Sequence, residues 1–173
     1  MMCGRPIDHD STLAYFLENV TIRTGGKAVM SSNRQKKLPS IPDTERAARL
    51  REVFDDLQEL NKHIPVIVEG KKDASALRSI GLMGDIITLH NGQDLYEFCD
   101  DVAQRHDRVV LLLDWDRKGE DLNRILSHNL KGHWEEFSSF RELLKILCQK
   151  EIKDIEGIPA LLRRLEGNET AWQ

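Results

Sequence analysis

Apolar residues recur along this chain with two different periods, and the switches between them mark out alternating elements. Leu50, Val53, Phe54, Leu57 and Leu60 fall at three- and four-residue spacing, which predicts an amphipathic helix over roughly 43–62. The short unbroken run Pro65-Val66-Ile67-Val68 then predicts a buried strand over 65–69, ending in an acid, Glu69. Asp73 is placed to cap a helix running to about Ile80, and Gly81 closes that helix in the position favoured by glycine. Ile86-Ile87-Thr88-Leu89 reads as a second strand, with a turn at Asn91-Gly92. Leu95, Phe98, Cys99 and Val102 share one face of a helix over 94–105, and Val109 to Leu113 forms a third strand. A helix follows from about Glu120 to Leu130.

Strands that alternate with helices at these lengths predict βαβ units, a parallel sheet and right-handed crossovers. After Gly132 the pattern weakens. Phe140, Leu143, Leu144 and Leu147 predict another helix, Ile158 to Leu165 a short last one, and a fourth strand is expected near 133–137. Residues 1–40 show no sustained period, and the polar, basic, proline-bearing stretch Ser31 to Pro42 reads as a disordered linker. The expected organisation is therefore a poorly ordered tail over 1–42 and one domain over 43–173. Met30 directly precedes the linker and is a candidate alternative start.

Charge alters this picture locally. The whole chain carries −4, but residues 1–40 hold six basic and three acidic groups, so the remainder carries −7. An acidic body excludes a broad basic binding face, so any contact with RNA or DNA is expected to be local. Cys3, Cys99 and Cys148 are odd in number and scattered, which fits reduced thiols in a cytoplasmic protein. No apolar run approaches the ~20 residues of a membrane span, so no membrane partner is expected. Neither Cys-x-x-Cys nor His-Glu-x-x-His occurs, which argues against zinc.

The candidate chemistry lies where strands end. The third strand runs into Asp114-Trp115-Asp116, two acids at i and i+2; strand alternation would point both one way and send Trp115 into the core. Hard oxygen ligands, few in number and completed by water and phosphate, are what Mg²⁺ asks for. In open α/β sheets ligands bind beyond the carboxyl ends of the strands. A 2-1-3 strand order would bring Glu69 together with Asp114 and Asp116 there. Lys71, Lys72, Arg117 and Lys118 flank the acids and are candidate phosphate contacts. Gly70 and Gly119 are expected to permit tight turns. A purely structural alternative has Asp116 capping the next helix, Asp114 solvated and Glu69 paired with Lys71 or Lys72.

Val66-Ile67-Val68-Glu69-Gly70-Lys71-Lys72-Asp73, the Asn91-Gly92 turn and Leu112-Leu113-Asp114-Trp115-Asp116-Arg117-Lys118-Gly119 together resemble the Toprim domain. That domain is shared by bacterial-type primases, type IA and type II topoisomerases, an rRNA-maturing ribonuclease and overcoming-lysogenization-defect nucleases. The chain looks most like the small archaeal proteins that are little more than a Toprim domain. The resemblance runs from the 43–62 helix to the C-terminus and includes Ile152-Lys153-Asp154-Ile155-Glu156-Gly157-Ile158-Pro159. It implies a Rossmann-like α/β fold, a central parallel sheet of about four strands flanked by helices, with a helical C-terminal extension. It also implies that Glu69 is an acid/base or metal-ligand glutamate and that Asp114 and Asp116 are aspartates holding one or two Mg²⁺ ions, with Mn²⁺ as a substitute.

The family does not choose a reaction. Only Tyr15 and Tyr96 could serve as a topoisomerase nucleophile, and a domain this small lacks the surface for autonomous primer synthesis. Two expectations remain. One is a Mg²⁺-dependent, nuclease-like enzyme on nucleic-acid phosphodiesters, with Glu69 assisting proton transfer. The other is a non-catalytic, metal-assisted nucleic-acid-binding module within an RNA- or DNA-processing assembly of protein partners.

Overall fold

The computed structural model describes residues 43–89 and 94–167. The expectations for the 1–42 tail, the Met30 start and the Asn91-Gly92 turn fall outside those residues. The elements run α1 (Asp43–Asn61), β1 (Val66–Val68), α2 (Lys71–Ser79), β2 (Ile86–Thr88), α3 (Leu95–Arg105), β3 (Val110–Leu111) and α4 (Arg117–Asn129). A 3-10 turn (Glu135–Phe137), α5 (Ser138–Cys148) and α6 (Ile158–Leu165) follow. The helix periods in the sequence thus become helices within a few residues of the expected bounds. No helix among the described residues is long and apolar enough to cross a membrane.

Three parallel strands form the sheet among the described residues, in the order β2-β1-β3. Val66 and Ile67 lie beside Ile86 and Ile87 on one side and beside Val110 and Leu111 on the other. Each strand of such a sheet needs apolar cover on both faces, which is why the runs are unbroken rather than alternating. Val66, Val68, Val110 and Leu112 enter one core cluster with Leu50, Phe54 and Leu57 of α1, Leu144 of α5 and Leu161 of α6. Ile67, Val109, Leu111 and Leu113 enter the other, with Phe98 and Val102 of α3 and Leu126 of α4. Helices therefore cover both faces, as the Rossmann-like reading requires. Cys148 and Cys99 are buried free thiols, one in each cluster.

Residues 133–137 make no strand. His133 offers one backbone carbonyl to Val109 N–H at 2.8 Å on the outer edge of β3, and the chain then turns into the 3-10 segment. Trp134 is fastened there by its indole N–H to Ser127 O at 2.9 Å. A single hydrogen bond closes the edge where a ladder was expected. Gly81 sits at φ 109° just beyond α2, a left-handed conformation that favours glycine.

The exit of β3 is held by an arginine with no counterpart among the sequence expectations. Arg141, 3% exposed, donates from Nε to Leu113 O at 3.0 Å and from Nη2 to Asp114 O at 2.7 Å. Its charge is met by Glu120 of α4 at 3.2 Å. Replacing Arg141 with Leu should lower the unfolding free energy by about 3 kcal/mol, since two carbonyls lose a charged donor and Glu120 a buried partner. Urea denaturation measures this; a loss below about 0.5 kcal/mol would contradict the tethering role.

Candidate metal centre at the strand ends

Glu69 is the first residue past β1, and its side chain is 9% exposed. The chain leaves it through Gly70, which caps α2 in extended backbone (φ −147°, ψ 179°) that any residue adopts, so Gly70 is not there for a left-handed turn. Asp73 proves to be the third residue of α2 rather than its cap. Its Oδ2 accepts from Gly70 N–H at 2.9 Å, which closes the helix start from within. Asp73 is 6% exposed, so it stands in the site as well as in the helix.

The second motif departs from strand geometry. Leu112 N–H still reaches Ile67 O at 2.9 Å, but Leu113 and Trp115 lie in opposite clusters, so the strand alternation breaks between them. Asp114 and Asp116 are therefore positioned by a bend, not by a shared strand face. Trp115 is buried as expected, with its indole N–H on Ile152 O at 2.8 Å and its backbone N–H on Lys153 O at 3.0 Å. Asp114 Oδ1 accepts from Ile155 N–H at 2.9 Å. Asp116 caps α4, its Oδ1 accepting from Gly119 N–H at 2.7 Å. Residues 152, 153 and 155 thus clamp the bend. Gly119 is needed for closeness rather than turning: a Cβ there would stand 2.1 Å from Asp114 O and 2.8 Å from Glu69 Oε1.

Of the four expected phosphate contacts, only Lys118 touches an acid of the site. Its Nζ lies 3.0 Å from Glu69 Oε2. The structural alternative had given Glu69 to Lys71 or Lys72; instead Lys72 pairs with Glu156 at 3.4 Å. Lys71 and Lys72 line an open groove of ≈ 670 Å³ with Ser75, Ile152, Asp154 and Pro159. Arg117 opens α4 and is exposed.

Burial and mutual repulsion dominate the electrostatics. Desolvation pushes the Asp114 carboxyl from an ordinary 3.8 up to about 7, against the lowering effect of the Ile155 N–H, and Asp73, Glu69 and Asp154 repel its charge. Asp73 is raised too, first by burial, then by Glu69, Glu156 and Asp154, with Gly70 N–H opposing. Asp73 and Asp154 therefore belong to the same acidic neighbourhood, and sequence reasoning assigned neither a role there. Their signals were present: Asp73 closes the first motif, and Asp154 lies in the 152–159 segment shared with the family.

These residues fit a hard dication by their chemistry. Glu69 Oε1 is buried with no hydrogen-bond partner among the described residues, an expensive state for a carboxylate oxygen. The donors are all oxygens, and Asp114 and Asp116 each commit one oxygen to a backbone N–H. Among the described residues no three Asp, Glu, His or Cys side chains form a preformed cage. Mg²⁺ seldom uses one: it is held by one or two carboxylates, with water and phosphate supplying the rest.

The sequence profile of the Toprim domain matches residues 65–151, which takes in both acid motifs. The chain belongs to the Toprim domain family. Relatives include a UPF0292 protein of Methanosarcina barkeri, 33% identical over 127 residues, which span 70% of this chain and 85% of the relative. A UPF0292 protein of Thermococcus sibiricus is 37% identical over 123 residues, 70% of this chain and 94% of the relative. These are archaeal proteins, the kind the motifs resemble. A solved structure, a protein from Aquifex aeolicus, superposes with a TM-score of 0.52 at 28% identity, over 62% of this chain and 95% of that one. Toprim membership points to a metal-dependent role connected with nucleic acids. Asp154 lies just past the matched range, although it shares the acidic neighbourhood.

A pH dependence follows. The Asp114 carboxyl binds its proton more tightly folded than unfolded, so its contribution to stability falls as pH rises from about 4 to about 7. Asp114→Asn, which keeps the Ile155 hydrogen bond without the charge, should raise Tm at pH 8, and the gain should shrink towards pH 5. Thermal scans without divalent cations test this; a gain that is independent of pH would contradict the burial of that charge.

Proposed function

We propose that this Toprim protein is a Mg²⁺-dependent, nuclease-like enzyme acting on nucleic-acid phosphodiesters. One observation carries the reading: a buried, unpartnered Glu69 oxygen stands beside the desolvated Asp114 carboxyl at the mouth of two adjacent parallel strands. Charge-repelling carboxylates are retained where they do chemistry or hold a cation. Asp114 and Asp116 would hold the metal, with Glu69 as a further ligand or as the proton-transfer group. Bound Mg²⁺ would supply electrostatic stabilisation of the phosphoryl oxygens and of the leaving oxygen.

This chain's own residues would do the rest. Glu69 takes a proton from the attacking water, and the leaving oxygen gains one in turn, so that hydrolysis ends with a phosphate monoester and a hydroxyl. Ile155 N–H and the Arg141-held backbone keep Asp114 in place. Lys71, Lys72 and Arg117, with Lys118, meet the phosphates close to the acids. Such contact is local, in keeping with the −7 carried by the body of the chain. The acidic body and small size of the chain favour a second reading, a non-catalytic module that grips nucleic acid through metal, within an assembly of protein partners.

Labelled RNA and DNA hairpins incubated with Mg²⁺ separate the two. The enzyme reading expects cleavage that falls at least ~100-fold in Glu69→Gln, while hairpin binding stays within about threefold. Cleavage by Glu69→Gln at the wild-type rate would refute the role assigned to Glu69. Mg²⁺-dependent binding without cleavage by the wild type would favour the binding module.

A further inference from the structure

Lys118 stands at the second position of α4, and its ammonium is drawn back over the strand ends to the buried Glu69 carboxylate. The two partners differ sharply in exposure, 60% for the lysine side chain against 9% for the glutamate. The lysine reaches in from water; the acid cannot reach out. Glu69 is one of the carboxylates assigned to the metal, and the other two, Asp114 and Asp116, stand on the bend that leads directly into α4. Lys71 and Lys72, by contrast, face the groove and Glu156.

We propose that Lys118 is the internal counter-ion of this site, and that a divalent cation binds by displacing its ammonium from Glu69. The inference rests on the metal reading above and adds to it a residue that sets which cations enter. Exchanging an ammonium for a monovalent ion changes no net charge, so Na⁺ or K⁺ gains little Coulomb energy. A dication adds a charge beside several carboxylates in a partly desolvated crevice, where such interactions are strong. The displaced ammonium returns to water at modest cost because its stem is already largely exposed. Lys118 would thus keep the acids compensated until a dication arrives, at the expense of weaker metal affinity.

Calorimetric titration of the full chain with Mn²⁺ alone tests this. Lys118→Gln should tighten Mn²⁺ binding about tenfold, because no competing cation must leave. Lys118→Arg, which keeps a charge, should stay within about threefold of wild type. Arg124→Gln removes a charge from the same helix that pairs with Asp121 instead of Glu69, and should change affinity less than about twofold. Mn²⁺ binding seen only in Lys118→Gln, with a silent wild type, would also support displacement. Equal tightening by Arg124→Gln, or an unchanged Lys118→Gln, would overturn the counter-ion role while leaving the metal site standing. No Mn²⁺ binding by either wild type or Lys118→Gln would sink the metal reading and this inference with it.

Discussion

Everything at this site follows from one constraint, the parallel pairing of β1 with β3. Parallel strands end on the same side, and the register Val66 to Val110 and Ile67 to Leu111 puts Glu69 and Asp114 past adjacent strand ends. The sheet is covered on both faces, so the acids can open only towards the end of the strands. Burial there is what raises Asp114 and leaves Glu69 Oε1 without a partner. A sheet of two antiparallel strands would place the same acids at opposite ends, and the cluster would not exist.

Holding acids together in a partly desolvated crevice costs stability, and the surrounding structure offsets that cost with specific backbone contacts. Arg141 donates hydrogen bonds to the carbonyls of Leu113 and Asp114, Ile155 N–H meets the Asp114 carboxylate, and Gly119 lets α4 approach closely. Lys118 and Glu69 then tie the start of α4 to the end of β1. None of these contacts lies within one element. The site is a product of tertiary packing between four chain segments: 69–73, 113–119, 141 and 152–157.

The sequence carried the three strands and the two acid motifs because unbroken apolar runs, helix periods and terminal acids are local signals, while the 2-1-3 order entered only as a supposition that the structure bears out. Val66 to Val68 and Val109 to Leu113 announced buried strands, and the roughly 45 residues between Glu69 and Asp114 left room for one excursion to β2 and back. What local reading could not supply was the bend after Leu113, which breaks strand alternation; Asp116 does cap α4, as the purely structural alternative held. Nor did local reading offer Lys118 as the partner of Glu69, naming only Lys71 or Lys72, since the observed pairing depends on how α4 crosses the strand ends. The expected strand near 133–137 failed because Trp134 turns to Ser127 and leaves only one carbonyl for the sheet edge. Arg141 carried a faint sign: it shares the helical face of Leu144 and Cys148, where a charge stands only if it is paired.

The proposed cation site joins carboxylates that follow the ends of β1 and β3. Calorimetry with Mn²⁺ on the wild type and on the Asp114→Asn/Asp116→Asn double variant, with and without a short hairpin oligonucleotide, tests it most directly. Binding by the wild type should tighten when the hairpin is present and be lost in the double variant. Binding that survives removal of both aspartates would contradict it, and the cation would belong elsewhere on the chain.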